Sequence, residues 1–86
     1  MPCVSRFYGI AIYLYYKDHA PPHFHAIYGE DEVAIEIATG NVMAGAIPRR
    51  AAKLVQEWLH QHQADLQADW DLAMSGQPLN PVPPLD

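Results

Sequence analysis

Glu32-Val33-Ala34-Ile35-Glu36-Ile37 alternates residue by residue, with Val33, Ile35 and Ile37 on one side and Glu32, Ala34 and Glu36 on the other. Successive side chains of a strand point to opposite faces, so this period of two reads as a half-buried β-strand and not a helix. Turn chemistry flanks it. Gly29-Glu30-Asp31 precedes it, and Ala38-Thr39-Gly40-Asn41 follows as a hairpin signal, with Gly40 suited to a left-handed bulge position. Val42 to Ile47 then reads as a further strand, and His23 to Tyr28 as the one before. Gly9 to Tyr16, rich in β-branched and aromatic residues, reads as the first of four. Between these last two, Pro21 and Pro22 fix φ and remove two donors, which makes Asp18 to Pro22 a loop.

Downstream the period changes. Pro48 fits the first turn of a helix, where its missing N–H is no loss. Ala51, Leu54, Val55, Trp58 and His62 recur at three- and four-residue steps, leaving Lys53, Gln56, Glu57 and Gln61 outside the stripe. The pattern restarts at Leu66, Trp70, Ala73 and Met74, and Gly76 is a good stop. Trp58, Leu66, Trp70 and Met74 read as core. The expected fold is α+β: a four-stranded antiparallel meander followed by two helices packed on one face of the sheet, with a break near His62 to Ala64. Residues 1–76 form the expected domain. Residues 77–86, with Pro78, Pro81, Pro83 and Pro84, form an extended tail suited to docking as an extended segment.

With 86 residues there is room for one modest core, which buries about 60% of the surface of the unfolded chain. A single cysteine, Cys3, excludes an internal disulfide and suits a reducing compartment. No signal peptide is evident, and the longest apolar run, Gly9 to Tyr16, is too short to span a membrane. A net charge of −5 argues against a general nucleic-acid binder. Every basic residue, however, lies before residue 54, and from Glu57 onward only acids occur. Arg49, Arg50 and Lys53 in the first turns of the helix form the candidate anion-binding group, through which nucleic acid would be gripped directly or in complex.

Three of the five histidines fall in Lys17-Asp18-His19-Ala20-Pro21-Pro22-His23-Phe24-His25-Ala26-Ile27. Pairing the first two strands around the loop sets Tyr15 opposite His25 and Tyr13 opposite Ile27. Pairing the next two through Gly29 to Glu32 sets Tyr28 against Val33 and His25 against Glu36. Ile10, Ile12, Leu14, Tyr16, Phe24, Ala26 and Tyr28 then face inward, and Tyr15, His25 and Glu36 form an outward row beside His23 and Lys17. His23 and His25, at i and i+2 of a strand, are roughly 6–7 Å apart on one face, close enough to share a divalent transition metal such as zinc. A third ligand would come from His19, Asp18 or Glu36. The plainer reading makes His25 and Glu36 a cross-strand polar pair worth about 0.2–1 kcal/mol, with His23 capping the turn and Asp18 accepting loop N–H bonds. Tyr13, Tyr15, His25 and Ile27 also compose a candidate partner surface, aromatic and partly apolar.

Ser5-Arg6-Phe7-Tyr8-Gly9, Asp18-His19-x-Pro-Pro-His23-Phe24-His25-Ala26, Thr39-Gly40, Pro48-Arg49-Arg50 and the helical Trp58 and Trp70 together resemble a small bacterial family, the domain of unknown function number 4160. The resemblance implies a standalone cytoplasmic protein and places the His-x-His stretch in the family pattern. It further implies a protein-interaction component of a two-gene, toxin–antitoxin-like module, with a partner of domain family 2442 encoded alongside, or a homo-oligomer. The competing reading is a metal-dependent enzyme, a hydrolase or nuclease, using His19, His23 and His25. Ile27 and the stretch Val42 to Ala46 are more apolar than the resemblance suggests, which favours a buried face or self-association there.

Overall fold

The computed structural model describes residues 2–86. The chain forms β1 (Cys3–Phe7), β2 (Ile10–Tyr13), β3 (His23–Tyr28), β4 (Asp31–Glu36) and β5 (Val42–Gly45), followed by α1 (Arg49–Met74). The strands lie in sequence order in one antiparallel sheet. The α+β class stands, but the count of elements is corrected: five strands replace the expected four, and one helix replaces the expected two.

The additional strand escapes a periodicity reading because its alternation is suspended. Register shifts between Cys3 and Ser5, so that Val4 and Ser5 are both buried, as a bulge allows. Tyr8 and Gly9, with φ of 50° and 79°, make the two-residue turn into β2, and positive φ at both central positions is what tight hairpins require. The expected first strand thus gives Gly9 to the turn and its last three residues to the next loop.

The single helix has a physical reason too. His62 adopts φ −124° and ψ 23°, which kinks α1 without ending it. The restart of the apolar pattern at Leu66 marks this kink, not a chain break. Gln63, next to it, donates from Nε2 to the carbonyls of Ile37 and Ala38 at 2.7 and 3.0 Å, and Gln56 donates to Gly40 O at 2.8 Å. These two side chains, seven residues apart on one helix face, pin the β4–β5 turn. At the far end, Gly76 (φ 72°) follows Ser75 as the left-handed residue. Its N–H bonds to Ala73 O and that of Gln77 to Leu72 O, a Schellman stop.

Both expected registers are off by two residues. Tyr13, not Tyr15, pairs with His25; and His25 pairs with Ala34 while His23 takes Glu36. The β3–β4 turn is the two residues Gly29-Glu30, with Gly29 at φ 61°, and the β2–β3 connection is correspondingly longer. A shift of two preserves which face each side chain takes. Ile10, Ile12, Leu14, Phe24, Ala26, Val33, Ile35 and Ile37 are accordingly all buried, whereas Tyr16 and Tyr28, expected inside, are exposed. Glycine is required at Gly45 (φ 74°), where a Cβ would collide with the Glu32 carbonyl across the β4–β5 pair.

Trp58 fills the centre, fully buried, its ring centroid 5.2 Å from Phe7 and 5.8 Å from Phe24. Truncating such a ring costs about 3–5 kcal/mol. Its Nε1–H donates to Pro83 O at 2.8 Å, and the Val82 N–H donates to Val4 O at 2.8 Å on the outer edge of β1. Val82 and Leu85 belong to the core. The proline-rich tail therefore folds back on the domain that carries it.

Asp69 anchors the same tail. It is 1% exposed; Oδ1 accepts the Asn80 N–H at 2.9 Å while Oδ2 has no partner among the described residues. Burial pushes its carboxyl above the ordinary value near 3.8, with the Asn80 bond opposing and the Asp65 charge adding. With the folded value raised, the stabilising contribution is complete below the ordinary carboxylate range and is lost as pH rises through the folded value. Asp69→Asn keeps an acceptor for Asn80 and removes the charge. Thermal unfolding from pH 4 to 7 is expected to show the variant gaining Tm relative to the wild type as pH rises; a pH-independent difference would contradict this role.

Candidate metal centre

Beyond Tyr13 the chain leaves the sheet but stays tethered. Leu14 is buried and donates its N–H to Pro2 O at 3.2 Å. Lys17 (φ 54°) turns the chain, and its N–H reaches Ala73 O at the end of α1 at 3.3 Å. Asp18 is thereby set against the start of β3. Its Oδ1 accepts the His19 N–H at 2.9 Å, which orients the carboxylate so that Oδ2 faces two imidazoles. Oδ2 lies 2.9 Å from His23 Nε2 and 3.5 Å from His25 Nε2.

The opposite nitrogen of each ring is already committed. His23 Nδ1 is 2.8 Å from Pro21 O, and a carbonyl only accepts, so that nitrogen carries the proton. His25 Nδ1 is 3.0 Å from Glu32 Oε2, which fixes its tautomer in the same way. Both rings consequently turn Nε2 toward one carboxylate oxygen, and the ligand atoms of Asp18, His23 and His25 all lie within 4.8 Å of one another. His23 is 3% exposed and its ring sits 5.3 Å from that of Trp70, while the Tyr15 ring lies 4.4 Å from that of His25, tilted to it by 57°.

Charge within the cluster follows from these neighbours. Burial alone would raise the Asp18 carboxyl, but the His19 N–H, the charges of His23 and His19 and the His25 contact together hold it below the usual carboxylate range. Burial pushes the Tyr15 phenol up, and the charges of Glu32, Tyr13 and Asp18 push the same way. The His25 contact is the weak one. At 3.5 Å its Nε2 is buried and makes no hydrogen bond among the described residues.

Of the residues singled out in the sequence, Asp18, His23 and His25 converge. His19 is exposed and meets Asp18 through Nδ1 at 3.1 Å, on the Oδ1 side. Glu36, opposite His23, turns instead to the Thr39 hydroxyl, which donates to Oε1 at 2.8 Å. Glu32 takes the place beside His25, diagonally across the β3–β4 pair, and a two-residue turn at Gly29-Glu30 is the signal that would have found it. Tyr13, Tyr15 and Ile27 are half-buried, and the Tyr13 hydroxyl accepts from Arg6 at 3.3 Å. Arg49, Arg50 and Lys53 are exposed at the far end of the molecule. Arg50 lines a cleft of about 190 Å³ there with Tyr8, Tyr28, Pro48, Ala51 and Leu54. No helix among the described residues is long and apolar enough to cross a membrane.

A small α+β domain with two imidazoles and one carboxylate at the mouth of a hairpin is the class these features define. The chain belongs to the family described as domain of unknown function DUF4160, whose model matches residues 9–71 and so includes the whole cluster. No curated protein and no solved structure matches the chain.

Asp18→Ala removes the acceptor facing a buried imidazole, and leaving such a group unpaired costs about 1–3 kcal/mol. Chemical denaturation in chelator-containing buffer is expected to register that loss, with Glu36→Gln changing stability by less than about 0.5 kcal/mol. Equal effects of the two substitutions would remove Asp18 from its central position.

Proposed function

We propose that the protein binds one divalent transition metal through Asp18 Oδ2, His23 Nε2 and His25 Nε2. One observation carries the reading. A proton placed between His23 and Asp18 would satisfy that pair and leave His25 Nε2 buried without a partner, whereas a metal satisfies all three atoms at once. The spacing suits it: ligands about 2.0–2.2 Å from a tetrahedral zinc lie roughly 3.4 Å apart, and the two contacts to Oδ2 measure 2.9 and 3.5 Å. Pro21 O and Glu32 hold the far nitrogens, as outer-shell acceptors do for metal-bound imidazoles. Three protein ligands leave a fourth position, and a hydrolase or nuclease role would use it to hold a water.

A second reading, that the protein is the interaction component of a two-gene, toxin–antitoxin-like module, draws support from the sheet face that α1 leaves uncovered. Tyr13, His25 and Ile27 lie on that face, and Val42 and Met43 of the edge strand β5 are 59% and 38% exposed. Co-purification of the neighbouring family 2442 product, lost on Tyr13→Ala with Ile27→Glu, supports it; retention by that variant counts against it.

Titration calorimetry of tag-free protein with zinc tests the first reading. One equivalent is expected to bind. His25→Ala should weaken binding at least a hundredfold and Glu32→Gln about 10–100-fold through the outer shell. Absence of saturable binding, or identical affinity in His25→Ala, overturns the proposal.

A further inference from the structure

The tail shows what the cleft between β1 and α1 recognises. In Leu79-Asn80-Pro81-Val82-Pro83-Pro84-Leu85 the aliphatic residues recur every three positions. Three residues per turn is the period of a polyproline II helix, so one edge of such a segment is apolar along its length. Burial follows that period. Val82 and Leu85 are core residues and Leu79, half-buried, packs against the core cluster, while Asn80, Pro81, Pro83 and Pro84 are exposed.

The polar contacts are equally selective. Prolines carry no N–H, and two of the backbone donors that remain bond the domain: Asn80 bonds Asp69 Oδ1, and Val82 bonds Val4 O on the open edge of β1. In the other direction, the Trp58 indole donates to Pro83 O. An aromatic donor reading a prolyl carbonyl, with apolar seats at three-residue spacing, is how grooves recognise proline-rich segments.

We propose that this cleft is a polyproline II recognition groove, held in cis by residues 79–85, and that the same segment of a second copy takes it in exchange to give a tail-swapped dimer. An identical segment makes identical contacts, so exchange asks only that the connection reopen. That connection, Ser75-Gly76-Gln77-Pro78, is exposed, and beyond the glycine's own chain neighbours nothing lies within 4 Å of where a Cβ on Gly76 would sit. Both β1 and the tail lie outside residues 9–71, whereas Trp58 and Asp69, the helix residues that hold the tail, lie within them.

The test uses the full chain and a labelled peptide of residues 77–86. In the double variant Val82→Ser with Leu85→Ser the cis segment competes poorly, and fluorescence anisotropy should show the peptide binding at least tenfold more tightly than to the wild type. The peptide bearing the same two serines should not bind. Equal affinity for the two proteins, or no binding to a variant that keeps its near-ultraviolet circular dichroism, overturns the groove. Should the variant unfold, hydrogen exchange on the wild type decides: the Asn80 and Val82 amides and the Trp58 indole are expected to exchange at least tenfold faster than β3 amides. Exchange at the β3 rate overturns the proposal, since the tail would then open only with the whole core. Light scattering of concentrated wild type should reveal a dimer that excess peptide returns to monomer. A chain that stays monomeric while binding the peptide overturns the swap and assigns the groove to another protein's proline-rich segment.

Discussion

The indole of Trp58 is the point at which sheet, helix and tail meet. Its ring packs against Phe7 and Phe24 from two strands, and its N–H, buried away from water, must find an acceptor. The tail supplies one at Pro83. Placing that carbonyl brings Val82 to the edge of β1 and Asn80 to Asp69, so a single unmet donor in the core organises the last residues of the chain. The kink at His62 gives the other half of α1 a second task. Past it, Trp70 reaches the ring of His23, and Ala73 O receives the Lys17 N–H, so the end of the helix supports the loop that carries Asp18.

Two carboxylates near this helix end have opposite fates. Asp69 has one hydrogen bond, an unpartnered oxygen and an acidic neighbour in Asp65, and its burial drives it toward the neutral acid. Asp18 also loses solvent, but three imidazoles and a backbone N–H surround it and keep it ionised. Only the second environment suits a cation. The difference between them is therefore chemical and not a matter of depth, and it assigns one residue to the tail and the other to the candidate centre.

Much of this was legible in the residues, and the failures have physical causes. Period two in Val33, Ile35 and Ile37, and the turn chemistry around it, led to the α+β class and to an antiparallel sheet one strand short of the five present. Faces survived a wrong register because both errors were of two residues, which leaves each side chain on its own side. The same error mattered for the site: it put Glu36 beside His25, when the Gly29-Glu30 turn brings Glu32 there instead. β1 was hidden by its bulge, which buries Val4 and Ser5 together. The apolar pattern of α1 did break near His62, but a kink and a chain break give the same pattern of residues. Folding back of the tail follows from the Trp58 donor and the spacing of Leu79, Val82 and Leu85, a three-residue period that neither helix nor strand templates detect.

The most direct measurement on the candidate centre is the zinc-edge X-ray absorption spectrum of the zinc-loaded protein. It is expected to show a shell of nitrogen and oxygen at about 2.0–2.2 Å with outer-shell scattering from two imidazole rings and no sulfur. A spectrum with a sulfur shell, with fewer than two imidazoles, or with the full oxygen shell of a hydrated ion would contradict coordination by Asp18, His23 and His25.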